Sequence, residues 1–204
     1  MPIYLQGLLL GISIAAPVGP IGVLCIRRTL LQGRLHGLMS GLGAATADAI
    51  YGAVAALGLS ALMTILIDQS LWIQLVGGLF LCYLAYRTFA SAPPAAEAGA
   101  RLEGGLPGAY ATTMLLTLAN PMTIISFAGM FAGFDVGEGS RSALLLVAGV
   151  FCGSALWWLA LSLIVGGARR RLPERWLRGI NRLSGVVLLI FGIVILVKGL
   201  AEWP

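Results

Sequence analysis

The stretch LSGVVLLIFGIVILVKGL, Leu183 to Leu200, carries a single charge, Lys198, in 18 residues. At a helical rise of ~1.5 Å per residue, such a run nearly crosses the ~30 Å hydrocarbon layer of a bilayer. Five further apolar blocks precede it, at Ile3–Ile26, Gly37–Ile67, Leu71–Phe89, Gly108–Phe134 and Ser142–Gly167. Across the chain 59% of residues are hydrophobic and 10% charged, against roughly 45–50% and about 25% in soluble domains. The bilayer is therefore the solvent. The blocks are continuous rather than alternating, which predicts helices and excludes a β-barrel. The expected fold is all-α, with six transmembrane helices.

The net charge of +5 raises nucleic acid as a partner, and the placement of the charges excludes it. Arg27, Arg28 and Arg34 fall between the first two blocks, and Arg87 and Arg101 between the third and fourth. Arg169, Arg170, Arg171, Arg175, Arg178 and Arg182 fall between the last two. Eleven of the 13 basic residues thus share one side, leaving Arg141 and Lys198 opposite. The positive-inside rule makes that side cytoplasmic, with both termini outside. Asp68, Asp135, Glu138 and Glu202 fall on the outer side. A bacterial inner membrane is the expected location, with lipid as the surrounding partner and a homodimer as an admissible assembly.

No basic residue precedes the first block, so Met1-Pro2-Ile3-Tyr4 does not read as the start of a cleaved signal. Cys25, Cys82 and Cys152 are single and widely spaced, which fits neither a disulfide framework nor a zinc site. With His36 the only histidine, no metal site and no cofactor is expected.

The Ala- and Pro-rich stretch Ser91 to Arg101 reads as a flexible connection. It sets a linker over 91–107 between a first repeat, 1–90, and a second, 108–204. Three crossings per half mean that the second half enters from the opposite side, which makes an inverted repeat. The halves share a landmark. Ala16-Pro17-Val18-Gly19-Pro20 breaks the first helix of one, and Asn120-Pro121 the first helix of the other.

Pro17 and Pro20 each lack an N–H, and with Gly19 between them they should unwind the helix. A new segment then begins at Ile21, its free N–H groups carrying partial positive charge. Asn120 and Pro121 repeat this, as a favourable N-cap and first helical residue. Two half-helix starts of this kind form a site for a carboxylate; the alternative is packing kinks that bind nothing. Thr123 and Ser126, just beyond, are candidate cavity hydroxyls, with bonding back to their own helix as the alternative.

Asp48 is the sole acid deep in a block, eleven residues past Gly37 and so roughly 16 Å in. An ionised carboxylate at that depth costs about 2.5–3.5 kcal/mol on insertion scales, so it should face the bundle interior. It reads as a proton carrier or an acceptor for a substrate ammonium, the alternative being a structural hydrogen bond between helices. The corresponding stretch of the second half, Gly149 to Ser154, has no acid. Trp157 and Trp158 lie mid-block, away from the headgroup belts. Trp157 is taken as a candidate cavity wall able to meet a cation by its ring face, against the alternative of apolar packing.

No nucleophile elbow, phosphate-binding glycine loop or nucleotide motif is present. With Pro17-Val18-Gly19-Pro20, then Arg27, Arg28 and Gly33, Gly41 to Asp48, and Asn120-Pro121, the chain resembles the LysE/RhtB family. This is the lysine exporter and homoserine/threonine resistance group of bacterial amino-acid exporters. One departure is Ala47, where a glycine commonly precedes the aspartate. The resemblance implies a secondary exporter of amino acids or close analogues. Its expected site is Pro17, Gly19, Pro20, Ile21, Asn120, Pro121, Thr123, Ser126 and Trp157, with Asp48 coupling to protons. The competing readings are a metal-cation exporter, for which the ligand set is thin, and a membrane enzyme or structural subunit.

Overall fold

The computed structural model describes residues 1–17, 19–56, 69–90, 104–131, 140–169 and 173–201. The first half holds helices α1 (Ile3–Ala15), α2 (Pro20–Gln32), α3 (Arg34–Ala56) and α4 (Ser70–Ala90). The second holds α5 (Gly105–Leu118), α6 (Pro121–Phe131), α7 (Ser140–Arg169) and α8 (Glu174–Ala201). No strand occurs among the described residues. Val18, the end of the second expected block, the linker up to residue 103, Arg170 and Arg171 lie outside them.

Proline chemistry sets the first boundary. Pro17 cannot donate to the preceding turn, so α1 stops at Ala15. Pro20 then opens α2, where its missing N–H is one that no helix satisfies. The two axes meet at 81°. At the far end of α2, Gly33 takes φ +102°, and α3 starts at the next residue. Asn120 and Pro121 separate α5 from α6 in the same manner.

Three helical segments, Leu71–Phe89, Arg141–Arg169 and Arg175–Ala201, are long and apolar enough to cross a membrane, with mean hydropathies of 1.2, 2.1 and 2.6. The bent α1–α2 pair qualifies when taken together. Large apolar side chains point away from the protein on these segments. Val76 (62% exposed), Ile164 (74%) and Val197 (59%) are mostly uncovered by protein, as a lipid-facing surface requires.

The helices approach closely through small residues. α1 lies along α7, where Gly7 and Gly11 meet the backbone of Leu146 and Val150. Gly149 and Gly153 return the contact on Tyr4 and Leu8, so a methyl at any of the four would strike main chain. α3 packs along both α5 and α7, and α4 along α8.

Three boundaries differ from the sequence reading. α2 runs on to Gln32, so Arg27 and Arg28 are buried helical residues and not loop residues. Acceptors brought by other helices receive them: Arg27 Nε donates to Asn181 Oδ1 at 2.6 Å, and Arg28 donates to four acceptors on α3 and α5. α8 begins at Glu174, well before Leu183. Arginine is a good helix former, and Arg175, Arg178 and Arg182 lie exposed along the extension. α5 likewise starts at Gly105, inside the stretch read as linker.

Candidate functional site

Both helix breaks open onto one cavity of about 70 Å³. Ala15, Pro17, Gly19, Pro20 and Ile21 bound it from the first break, and Thr117, Asn120 and Thr123 from the second. Ala44 and Asp48 of α3 and Trp158 of α7 close the sides. Seven of the ten expected site residues therefore converge: Pro17, Gly19, Pro20, Ile21, Asp48, Asn120 and Thr123.

The remaining three lie elsewhere. Pro121 is buried at the first position of α6 without lining the cavity. Ser126 Oγ donates back to the Met122 carbonyl at 2.7 Å, the local bond that competes with a cavity role. Trp157 packs, half-buried, against a hydrophobic cluster that includes Leu24, Ala45 and Leu188. Its neighbour Trp158 occupies the cavity wall.

Trp158 owes its position to Gly41. The side chain lies against this glycine of α3, where any Cβ would strike it. The ring is 4% exposed, and its Nε1 is buried with no hydrogen-bond partner among the described residues. A buried donor without an acceptor is rare and costs about 1–3 kcal/mol. Trp158 lines the cavity, and its unpaired N–H is a donor open to an acceptor there.

Asp48 is 3% exposed, and Ser154 Oγ donates to its Oδ2 at 2.7 Å across the α3–α7 contact. No basic side chain is among its described partners. Sequence reasoning stopped at the neutral stretch that contains Ser154 without seeing that it supplies the partner. It also missed Tyr51, one turn beyond Asp48 on the same face. Its hydroxyl donates to the carbonyl of Leu118, the last residue of α5, and so caps a carbonyl that the break leaves free.

The two helix starts differ. α2 has Gly19 as N-cap and no side-chain cap, leaving its first N–H groups open. At α6 the amide oxygen of Asn120 accepts from the Met122 N–H at 3.1 Å. The Asn120 carbonyl takes the N–H groups of Thr123 and Ile124. Among the described residues no group of three or more His, Cys, Asp or Glu side chains is placed to hold a metal ion.

These features form a largely apolar cavity with two helix breaks and one acid, in a chain with helices long and apolar enough to cross a membrane. The LysE type translocator model fits residues 12–199. The chain belongs to the LysE type translocator family. It is thus a multi-pass membrane transporter and not an enzyme. Among its relatives, YcgF of Bacillus subtilis (strain 168), named for amino acid efflux, is 29% identical, with 99% of each chain covered. The threonine efflux protein of Salmonella typhi is 24% identical over 88% of this chain and 90% of its own. YahN of Escherichia coli (strain K12), named only as a membrane protein, is 26% identical over 87% and 81%. No solved structure matches the chain. In this LysE-type translocator both helix breaks and the acid fall inside the matched region.

Proposed function

We propose that the chain exports amino acids or close analogues from the cytoplasm in exchange for protons. The observation that carries this reading is one cavity lined together by the uncapped start of α2, by Trp158 with its unpaired N–H, and by Asp48, which accepts from Ser154. In it the substrate carboxylate rests on the α2 N–H groups and Trp158 Nε1, because both are donors without acceptors. Asp48 takes the ammonium in one half of the cycle and a proton in the other, as intramembrane acids in transporters do. Thr123 supplies a polar contact opposite, while the Asn120 side chain holds the second break by accepting from the Met122 N–H. The names of YcgF and of the threonine efflux protein agree with such a cargo.

The architecture proposed with it is six spans as a 3+3 inverted repeat: α1–α2, α3 and α4 against α5–α6, α7 and α8. Helix pairing supports this. Exchanging the halves turns the α1–α7 contact into the α5–α3 contact and leaves α3–α7 and α4–α8 unchanged, and all four pairs are packed. At ~10–15 Å³ per water the cavity of about 70 Å³ has room for roughly five to seven waters, so an amino acid enters only as the repeats rock apart. The arginine distribution supports an inner-membrane orientation with both termini outside.

The decisive measurement is efflux of preloaded radiolabelled amino acid from proteoliposomes under an imposed pH gradient. Threonine comes first, and the panel is widened by growth rescue of an exporter-deficient strain fed dipeptides. Efflux that depends on protein and follows the proton gradient is expected. Absence of gradient-driven efflux for every amino acid tested would sink the reading.

A further inference from the structure

Arg28 is a buried cation that the cavity does not use. Its side chain is 9% exposed between α2, α3 and α5. Nη1 donates to Ser40 Oγ at 2.8 Å, to the Ala109 carbonyl at 2.9 Å and to Thr113 Oγ1 at 2.8 Å. Nη2 donates to Thr112 Oγ1 at 2.7 Å. Every one of these partners is neutral. Arginine stays protonated in proteins, and a buried charge is normally paired because neutral hydrogen bonds offset only part of its lost hydration.

The three surrounding helices bring no carboxylate to hydrogen-bonding distance of Arg28. Their other ionisable side chains are Cys25, Arg27, Arg34, His36, Asp48, Tyr51 and Tyr110. Asp48 stands eight residues beyond Ser40, roughly 12 Å along α3, and accepts from Ser154.

A count of donors locates the unused edge. A guanidinium carries five N–H groups. The two on Nη1 serve three acceptors and one on Nη2 serves Thr112, leaving Nε–H and the second Nη2 proton with no described acceptor. Those two lie on adjacent nitrogens at the spacing that takes both oxygens of one carboxylate. Ser40 accepts from Arg28, and its own proton has no described acceptor, so it is a third donor. Thr112 and Thr113 spend their protons on the Gly108 and Ala109 carbonyls at 2.6 and 2.9 Å, which fixes them as acceptors that aim the guanidinium.

We propose that Arg28, aimed by Thr112 and Thr113, is a carboxylate-binding site separate from the cavity, where a substrate docks before it reaches the helix breaks. Arg28 lies eight residues past Pro20, about 12 Å along α2, and Thr113 is one turn before the cavity residue Thr117. A carboxylate released by Arg28 thus has one helix to follow to the open α2 start. Only the identity of the carboxylate's owner rests on the exporter reading; the anion site rests on Arg28 and its partners.

Acetate is the probe, replacing chloride at constant ionic strength around purified protein in phosphatidylcholine nanodiscs, with the thermal unfolding midpoint as readout. Acetate should raise the midpoint of the wild type and of Asp48→Asn. It should raise that of Arg28→Gln clearly less, the remaining response being acetate at the open α2 start, which this variant keeps. Should Arg28→Gln not fold, Arg28→Lys keeps the charge but loses the two-nitrogen edge, and should bind acetate at least about tenfold more weakly. Thr112→Val should weaken acetate binding several-fold. An unchanged acetate response in a folded Arg28 variant overturns the proposal, as does wild type with no response. If chloride-to-acetate exchange is silent but phosphatidylglycerol stabilises the wild type and not Arg28→Gln, the site belongs to a lipid phosphate and the carboxylate assignment falls. Acetate binding at Arg28 in a protein that exports no amino acid would leave this site standing and remove the function proposed above.

Discussion

The two helix breaks are alike in origin and unlike in finish. Proline stops the helix at both, yet α2 begins with its N–H groups open, whereas at α6 the Asn120 side chain covers the Met122 N–H. The helices beside them differ in the same sense. α3 of the first half brings Asp48, and α7 of the second brings the neutral Ser154 that donates to it. An inverted repeat would supply matching backbone on both sides, but a zwitterion needs a donor site at one end and an acceptor at the other. Divergence between the halves gives the cavity that polarity.

The hardest blow to this comparison falls on the acid. Asp48→Asn keeps shape and hydrogen-bonding capacity and removes titration, so the variant should insert normally while gradient-driven efflux drops to the level of empty vesicles. Wild-type efflux should grow with the proton gradient; residual transport in the variant should be flat across pH. The exchange Asp48→Ser with Ser154→Asp sharpens the test. It moves the carboxyl across the 2.7 Å bond to the other half. Partial recovery would show that the cavity needs the charge and not a particular helix. A well-expressed Asp48→Asn protein with wild-type rate and pH dependence would remove Asp48 from the mechanism.

Trp158→Phe tests the donor side, since it deletes the Nε1–H while keeping a ring against Gly41. The apparent KM for export should rise about tenfold, the scale of one hydrogen bond to a charged group at ~1.5 kcal/mol, with little change in protein stability. Trp157→Phe should leave KM unchanged. Equal effects of the two substitutions would mean that the indoles act through packing alone.

How far the sequence carries this picture depends on whether a feature is local. The apolar blocks and both breaks are legible, because hydrophobic length and the missing proline N–H act within a few residues. The choice between Trp157 and Trp158 is not, since it turns on the phase of α7 against α3 that Gly41 sets. Arg27 and Arg28 look like loop residues until Asn181, Ser40, Thr112 and Thr113 appear as acceptors that only the tertiary fold assembles. The Ser154–Asp48 bond joins residues 106 apart in sequence, and no spacing rule reaches that far.

Asn120→Ala separates a structural break from a binding one. Loss of an N-cap side chain costs about 1 kcal/mol, so the thermal midpoint should fall by a few degrees. With the Asn120 amide oxygen committed to Met122, KM should stay within about twofold of wild type, well short of one charged hydrogen bond. A rise of about tenfold with no loss of stability would make the second break an equal partner in substrate binding, and the asymmetry drawn above would fail.

The smallest effect is expected at Gly19. Its φ of −103° suits any residue, and a Cβ built there meets nothing within 4 Å, so Gly19→Ala should fold as the wild type does. The added methyl enters open space beside the uncapped start of α2, where the substrate carboxylate is proposed to bind. Contact there lengthens the hydrogen bonds without removing them, which predicts KM raised about two- to fivefold, or roughly 0.4–1 kcal/mol, at unchanged maximal rate. Efflux kinetics of Gly19→Ala at several substrate loads decide the matter. An unchanged KM would mean that the carboxylate does not approach the open helix start, and the difference between the two breaks would then be one of packing alone.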